Sequence, residues 1–425
     1  MAKVTGLTCL KCGRRHGAGE FILCPDCGLD GILDVEYDYD AIKHSLRRNP
    51  LRGRAERSIW RYADMLPTSG LGSDMPEAGV AQSGGGLGGA AGLRVGWTPL
   101  YKFPRLGRAA RHENLYIKDD TGNPSASLKD RASAVAVAMA LEAGASGIAC
   151  ASTGNAASSL AVVSASVGLE SYIFVPKTIP GPKLYQIGAC AEGIFRVDGT
   201  YEDAFEVATA AIERWGWHNR NCGINPYLVE GKKTCSLEIY EQLGYRVPDW
   251  VVVPVGDGCI ISGQWKAFKE LRLLGETACV PRMLAVQAEG AKPIVDAFLA
   301  GRDVVPVKAS TIADSIRVGQ PRNWRKALRA VRESNGSAVS VSDREIVEAM
   351  LLLGKRAGVF AEPAGATGLA GLMKAVTTGL IAPEEVAVVL VTGSGLKDPS
   401  SLEKEIKICD VGRDLASVER CLRLR

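Results

Sequence analysis

The sequence predicts an α/β protein of open parallel sheets covered by helices, preceded by a small cysteine-rich ribbon. Three observations carry that prediction. Short apolar runs alternate with helical patterns over most of the 425 residues, as strand–helix–strand crossovers require. Glycine turns follow several of these runs, at the carboxyl ends where open α/β sheets bind ligands. Finally, Cys9, Cys12, Cys24 and Cys27 make a Cys-x-x-Cys pair repeated after eleven residues.

Four thiolates at that spacing suit one tetrahedral ion, and structural zinc is the expected ligand, with a redox dithiol pair as the alternative. A stretch of about thirty residues has no core of its own and folds around its metal. Gly13 and Gly28 follow the two pairs and allow the tight turns that aim backbone amides at sulfur. His16 lies nearby but is not needed, since four sulfurs complete a closed site, and a closed site does no chemistry.

Length allows two or three domains, and a 46% hydrophobic content fills buried cores. Lys+Arg 51 against Asp+Glu 47 leaves a net charge of only +4, without a basic stripe interleaved with aromatics, so no nucleic-acid partner is expected and a small molecule is. No run reaches about 18 uninterrupted apolar residues, and Met1-Ala2-Lys3-Val4 leads straight to the cysteines without a signal core, so the expectation is a soluble cytoplasmic protein with no membrane partner. The other eight of the twelve cysteines lie in apolar segments, as reduced buried thiols do.

Taken in order, the ribbon (1–35) leads into Tyr37–Pro67, with Trp60-Arg61-Tyr62 in a helical-looking segment. Residues 69–92 are glycine-rich, centred on 83–89, and read as a flexible surface insert; a phosphate cradle would need a strand before it and a helix after it. Candidate strands are Gly147–Ala151, Ser171–Val175, Ile194–Val197, Trp250–Val255, Met283–Gln287 and Val386–Val391. The stretch from Lys118 to Arg131 organises the chain: Gly122, Asn123 and Pro124 break a strand-like run, Ser125 or Ser127 can cap, and Ala132–Ala143 reads as a helix. Lys129 then sits at a helix start, where the dipole disfavours its charged form and favours a nucleophilic amine. On its own, Ser-x-Lys would be only a solvated lysine in a first turn.

Three further loops carry motifs. Ser152-Thr153-Gly154-Asn155 ends a strand and opens the helix Ala156–Val167, a seat for a carboxylate or an ordinary cap. Gly256-Asp257-Gly258-Cys259-Ile260 follows the strongest strand and opens the helix Ile261–Leu274, with glycines that let amides converge on an anion. Thr392-Gly393-Ser394-Gly395-Leu396-Lys397-Asp398-Pro399 is another strand end and glycine turn. Ser342-Asp343-Arg344-Glu345 is a capping box for a helix to Lys355, and Glu362-Pro363-Ala364-Gly365-Ala366 opens one more.

These segments resemble the threonine synthases, within the tryptophan-synthase-β-like family of pyridoxal-phosphate enzymes. Asn123, Pro124, Ser127, Lys129, Asp130 and Arg131 match that family's Asn-Pro-Thr-Gly-Ser-Phe-Lys-Asp-Arg, and residues 390–399 match its Thr-Gly-His-Gly-Leu-Lys-Asp-Pro with Ser394 in place of His. Val95 stands where Glu is usual in Val95-Gly96-Trp97-Thr98-Pro99-Leu100. The resemblance implies two parallel-sheet domains of the fold-type II architecture, with the large domain at 36–135 and 250–425, the small one at 136–249, and a homodimer. It also implies pyridoxal 5'-phosphate linked to Lys129, its ring hydroxyl oxygen on Asn155, its phosphate on Gly256, Asp257, Gly258, Cys259 and Ile260, and its pyridine nitrogen on Thr392. Asp257 itself is expected to avoid direct phosphate contact. Ser127, Ser152, Thr153 and Ala156 fall on the substrate side, where the 152–156 loop holds an amino acid's α-carboxylate. Ala156 stands where the family usually has Thr.

The implied activity is conversion of O-phospho-L-homoserine and water to L-threonine and phosphate. One segment departs from it. Where the family reads Asn-Ser-x-Asn-Pro-x-Arg-x-Glu-Gly-x-Lys-Thr, this chain has Cys222-Gly223-Ile224-Asn225-Pro226-Tyr227-Leu228-Val229-Glu230-Gly231-Lys232-Lys233-Thr234, so the Ser and Arg that hold substrate phosphate become Gly223 and Leu228. Losing that guanidinium costs about 1.5–3 kcal/mol. Either Lys118, Lys232 or Arg317 compensates, or the substrate differs, as in cysteate synthases acting on phosphoserine or in serine and threonine dehydratases. A non-catalytic regulatory protein is the reading from another class, and intact Lys129, Asn155 and Thr392 argue against it.

Overall fold

The structure is a computed structural model describing residues 3–68, 92–177, 181–403, 405–406 and 408–423; of the expected insert at 69–92 only Gly92 falls among them. Strands β1 (Val4–Cys9), β2 (Arg15–His16) and β3 (Leu33–Tyr37) make an antiparallel ribbon in the order β2-β1-β3. Next come β4 (Leu100–Lys102) and β5 (Leu115–Asp119). A four-stranded parallel sheet follows, from β6 (Gly147–Ala151), β7 (Glu170–Pro176), β8 (Gly193–Val197) and β9 (His218–Asn219), in the order β8-β7-β6-β9. Finally β10 (Trp250–Pro254), β11 (Arg282–Ala288), β12 (Ser337–Val341) and β13 (Ala387–Val391) join the earlier pair in a six-stranded sheet ordered β12-β11-β10-β13-β5-β4, parallel except for the β4 edge.

The six expected strands are β6, β7, β8, β10, β11 and β13, each end within one residue. Every residue of β6, β10 and β13 is buried, which is why these strands read as continuous apolar runs. The short edge strands β4 and β9 and the serine-containing edge strand β12 were not expected; edges bury too little to leave an apolar signature.

Lys129 is the first residue of the helix Lys129–Glu142, as expected, but neither Ser125 nor Ser127 caps it: the cap position is Leu128, and Ser125 instead donates through its amide (2.6 Å) and hydroxyl to the carboxylate of Asp130. The capping box at Ser342 and Glu345 is present on the helix Asp343–Ala357. Two of the eight scattered cysteines, Cys409 and Cys421, are joined to each other, and Cys279 is exposed, so the buried-thiol expectation holds for only part of that set. Among the described residues no helix is long and apolar enough to cross a membrane.

The helix Tyr227–Gln242 is buried along almost its whole length although it carries Glu230, Lys232, Lys233, Glu238 and Glu241. All of them but Lys232 are paired with opposite charges, within the helix or across to its neighbours. Gly231 lets this helix meet the Lys129–Glu142 helix, since a Cβ at 231 would run into the carbonyl of Arg131. Arg131 bonds both carboxylate oxygens of Asp120 (2.8 and 2.8 Å) and reaches Glu238 Oε2 (2.8 Å) and Thr234 Oγ1 (2.9 Å). Lys118 Nζ completes the cluster on Glu238 Oε2 at 2.6 Å, and Glu238 also accepts from the amides of Trp97 and Thr98. Burial pushes the Glu238 carboxyl up, yet Arg131 and Lys118 outweigh it and hold it down at about 2.

Replacing Glu238 with Gln leaves two buried cations short of a charge and is expected to destabilise the protein by about 3–5 kcal/mol in urea unfolding at neutral pH. Because the folded carboxyl titrates below its ordinary 4.5, its stabilisation is present above that value and lost as pH falls toward about 2. Melting temperature across that window should fall more steeply in the wild type than in Glu238→Gln.

Candidate active site

Four loops at carboxyl ends of parallel strands converge between the two larger sheets. After β5 the chain runs to Lys129, after β6 to Ser152–Asn155, after β10 to Gly256–Ile260, and after β13 to Thr392–Gly395. The first and last are knitted together: Leu128 N donates to Thr392 O (2.9 Å), Ser394 N to Ala126 O (3.0 Å), and Glu362 N to Gly393 O (3.0 Å). Across the cleft, Asn155 Nδ2 donates to Glu362 Oε1 at 2.8 Å, and Lys397 Nζ donates to Ser158 Oγ (3.0 Å) and Gln186 Oε1 (2.8 Å). A cavity of about 370 Å³ opens here, lined by Ala126, Thr153, Gly154, Asn155, Glu362 and Lys397 among others.

Lys129 is half-buried, and its amine donates no hydrogen bond to a described residue. Burial lowers its pKa; the sulfurs of Cys222 and Cys259 pull it back up, and the charges of Lys232 and Arg220 push it further down. The net effect is downward, so the neutral amine is easier to reach than in a solvated lysine. In the 256–260 loop Gly258 takes φ +93° as the cap of the helix Cys259–Leu274, whose first amides receive no side-chain cap. Such a helix start receives anions. Asp257 stands at its edge: Oδ1 accepts from Arg322 N at 2.6 Å and Oδ2 from Cys259 Sγ at 3.5 Å, and burial raises the carboxyl.

Of the expected substrate-side residues, Thr153 lines the cavity beside Gly154, above which nothing lies within 4 Å of where a Cβ would stand. Ser127 is fully buried, and Ala126, at φ +61°, lines the cavity instead. Ser152 spends its hydroxyl on Gly154 N (3.2 Å), and Ala156 follows Asn155 in the first turn of the helix Asn155–Ala165 without lining the cavity.

The departing segment is rebuilt as a unit. Gly223 takes φ +90°, and a Cβ there would collide with Asp257 Oδ2, so the glycine in place of Ser goes together with the aspartate in place of Asn. Leu228 is buried in the apolar core. Of the three proposed compensating bases, Lys118 is consumed by Glu238, and Arg317 is exposed and paired with Asp314. Lys232 is fully buried, with Cys222 Sγ, 3.7 Å away, as its partner.

A family model described as "Pyridoxal-phosphate dependent enzyme" matches residues 92–393. The chain is 39% identical over 411 residues to the threonine synthase of Methanocaldococcus jannaschii, covering 95% of this chain and 96% of that one. The chain belongs to the threonine synthase family. It is also 37% identical over 409 residues to the threonine synthase of Methanosarcina acetivorans, covering 95% and 94%. Its fold is that of a tomato threonine deaminase (TM-score 0.63, 23% identity, covering 72% of this chain and 86% of that one) and of a Dictyostelium discoideum serine racemase (0.60, 25%, 70% and 92%). Pyridoxal phosphate, the cofactor of this family, fits the residues present: an unbonded amine at a helix start, an uncapped helix start beside it, and side-chain donors at Asn155 and Thr392.

Sequence reasoning passed over Glu362, Lys397 and Arg220. Glu362 and Lys397 lie within matched motifs, which was signal enough; Arg220 is preceded only by the two-residue strand β9 and carried no pattern. The Gly223–Asp257 coupling is testable in a double-mutant cycle. Gly223→Ser is expected to cost about 1–3 kcal/mol in thermal or urea unfolding; an Asp257→Ala background should relieve the part due to the collision, while the part due to φ +90° remains.

Proposed function

We propose that this chain is a threonine synthase, converting O-phospho-L-homoserine and water to L-threonine and phosphate. The observation that carries this reading is the unbonded, charge-disfavoured amine of Lys129 at a helix start, in a chain similar to threonine synthases over nearly its full length. Pyridoxal phosphate, when bound, supplies the electron sink that lets the α-proton leave. Lys129 would carry it and, once freed, accept the α-proton at Nζ, which its lowered pKa suits. Asn155 and Thr392 would orient the cofactor, and Gly256, Gly258, Cys259 and Ile260 would seat its phosphate. Thr153, Gly154 and Asn155 would hold the α-carboxylate at the start of the Asn155–Ala165 helix, and Lys397 brings a cation to the same cavity. Loss of a β-proton and departure of the γ-phosphate, then protonation of the γ-carbon, addition of water at the β-carbon and return of a proton to the α-carbon, balance the reaction.

Lys129→Ala is expected to abolish the visible absorbance of the protein with its cofactor and to lower turnover by at least about 10³-fold. A titration of the wild-type holoenzyme with O-phosphohomoserine, phosphoserine, serine and threonine tests the substrate. Threonine and phosphate from the first alone supports the proposal. Turnover of another amino acid in its absence would instead favour a β-replacement or dehydratase reaction, the reading that Gly223 and Leu228 support.

The four sulfur atoms of Cys9, Cys12, Cys24 and Cys27 lie within 4.8 Å of one another, while His16 packs edge-on against Phe21 outside the set. Gly13 and Gly28 hold the positive φ their turns need. We propose one structural zinc here, expected as a single equivalent by elemental analysis and lost in Cys24→Ser. A homodimer is the expected assembly, to be read by light scattering.

A further inference from the structure

Nearly every deeply buried cation among the described residues faces a carboxylate. Lys118 pairs with Glu238, Arg131 with Asp120 and Glu238, Lys233 with Glu230 and Glu270, Arg61 with Glu241, and Lys326 with Asp34. Arg220 and Lys232 are the exceptions. Both are fully buried. Arg220 spends Nε and Nη2 on a single neutral oxygen, Ser133 Oγ at 3.1 Å, and its buried Nη1 has no partner. Lys232 donates to a sulfur at 3.7 Å. An unpaired buried charge is costly, and these two add to each other and to Lys129. Lys232 contacts Cys222, which follows Arg220 by two residues, so both cations meet at the start of the rebuilt segment, and both act on the amine of Lys129.

We infer that Arg220 and Lys232 form a buried binding site for a phosphate monoester dianion, taking over from the Ser and Arg positions now occupied by Gly223 and Leu228. The inference rests on the threonine synthase reading, in which the substrate brings such a group. A guanidinium with a free N–H edge beside an ammonium matches a tetrahedral dianion in both charge and geometry. The surrounding changes fit. Gly223 removes a side chain from the segment, Asp257 is occupied at both oxygens, accepting from Arg322 N on Oδ1 and from the Cys259 thiol on Oδ2, and Leu228 fills the core where a third cation would otherwise stand. Cys222 balances part of the charge when the dianion is absent: its contact with Cys259, 4.0 Å between sulfurs, and the three cations hold its thiol well below the ordinary range against the effect of burial. The cofactor brings a phosphate of its own, but the uncapped start of the Cys259–Leu274 helix already provides a seat for it.

The test uses Lys232→Gln and Arg220→Lys, with Lys232→Gln as the variant that removes a charge without emptying the space around Ser133. Three quantities are measured: orthophosphate binding to the holoenzyme by calorimetry, the KM for O-phosphohomoserine, and the affinity of the apoenzyme for pyridoxal phosphate by spectral titration. The expected result is roughly ten-fold weaker orthophosphate binding and a similarly raised KM in each variant, with cofactor affinity changed less than about two-fold. A parallel fall in cofactor affinity, with orthophosphate binding to the holoenzyme unchanged, would assign the dianion site to the cofactor instead of the substrate. Unaltered binding of both ligands would overturn the inference. Should the wild type make no threonine while its orthophosphate affinity still depends on residues 220 and 232, the reaction proposed above fails and the anion site stands.

Discussion

The bidentate grip of Arg131 on Asp120, shared with Glu238 and Lys118, is the interaction on which the rest of the molecule hangs. Asp120 lies at the end of β5, Arg131 in the first turn of the helix that begins at Lys129, and Glu238 on the buried helix Tyr227–Gln242. One cluster therefore fixes a strand end, a helix start and the residues Trp97 and Thr98, whose amides also donate to Glu238. Replaced by apolar side chains of equal volume, such a cluster would cost the protein little stability. What an apolar patch lacks is direction. Hydrogen-bonded charges set the azimuth of the Lys129–Glu142 helix about its own axis, and so the direction in which Lys129 leaves it.

That rule of complete pairing makes its lapses informative. Around Lys129 stand two further buried cations whose direct partners are a thiol and a hydroxyl, with no carboxylate in an ion pair with either. Desolvation and like charge both favour the neutral amine, so the environment that makes the lysine reactive also draws in anions. Glu362, buried and pushed up, and Lys397, half-buried and pushed down, form a second imperfectly matched pair across the cavity, with Asn155 between the cleft's two sides. Structural charges here are satisfied within the chain, and site charges are left for ligands.

Much of the fold was legible because strands covered on both faces, such as β6, β10 and β13, must be apolar throughout. Strands at sheet edges were not, since half of their residues face water or a loop. Within the site, Lys129 and the loops 152–155, 256–260 and 392–395 could be found because each is a short local pattern at a strand end. What could not be read was anything that depends on two distant segments meeting. Gly223 and Leu228 looked like a lost phosphate site; only the collision of a Cβ with Asp257 shows Gly223 as half of a paired change. Arg220 had no local pattern, and its meaning lies wholly in the partner it lacks.

The ribbon enters the same logic from outside. Tyr37 Oη, at the end of β3, donates to Glu230 Oε2 at 2.9 Å, Lys266 Nζ bridges Glu230 to the carbonyl of Val35, and Gly19 N donates to Tyr227 Oη at 3.0 Å. These contacts fall on the first turn of the Tyr227–Gln242 helix, immediately after the rebuilt segment 222–228 and one turn before Lys232 and Lys233. A closed cysteine site has no open position for a substrate, so any influence it has on chemistry is mechanical. With the proposed zinc bound, folding of so small a ribbon would be coupled to the metal, and the ribbon's contacts hold the start of the helix that carries Lys232 and, further along, Glu238. The position of the site's unpaired cation and that of the pairing cluster thus depend on one helix, clamped from the ribbon at one end and from Arg131 along its side.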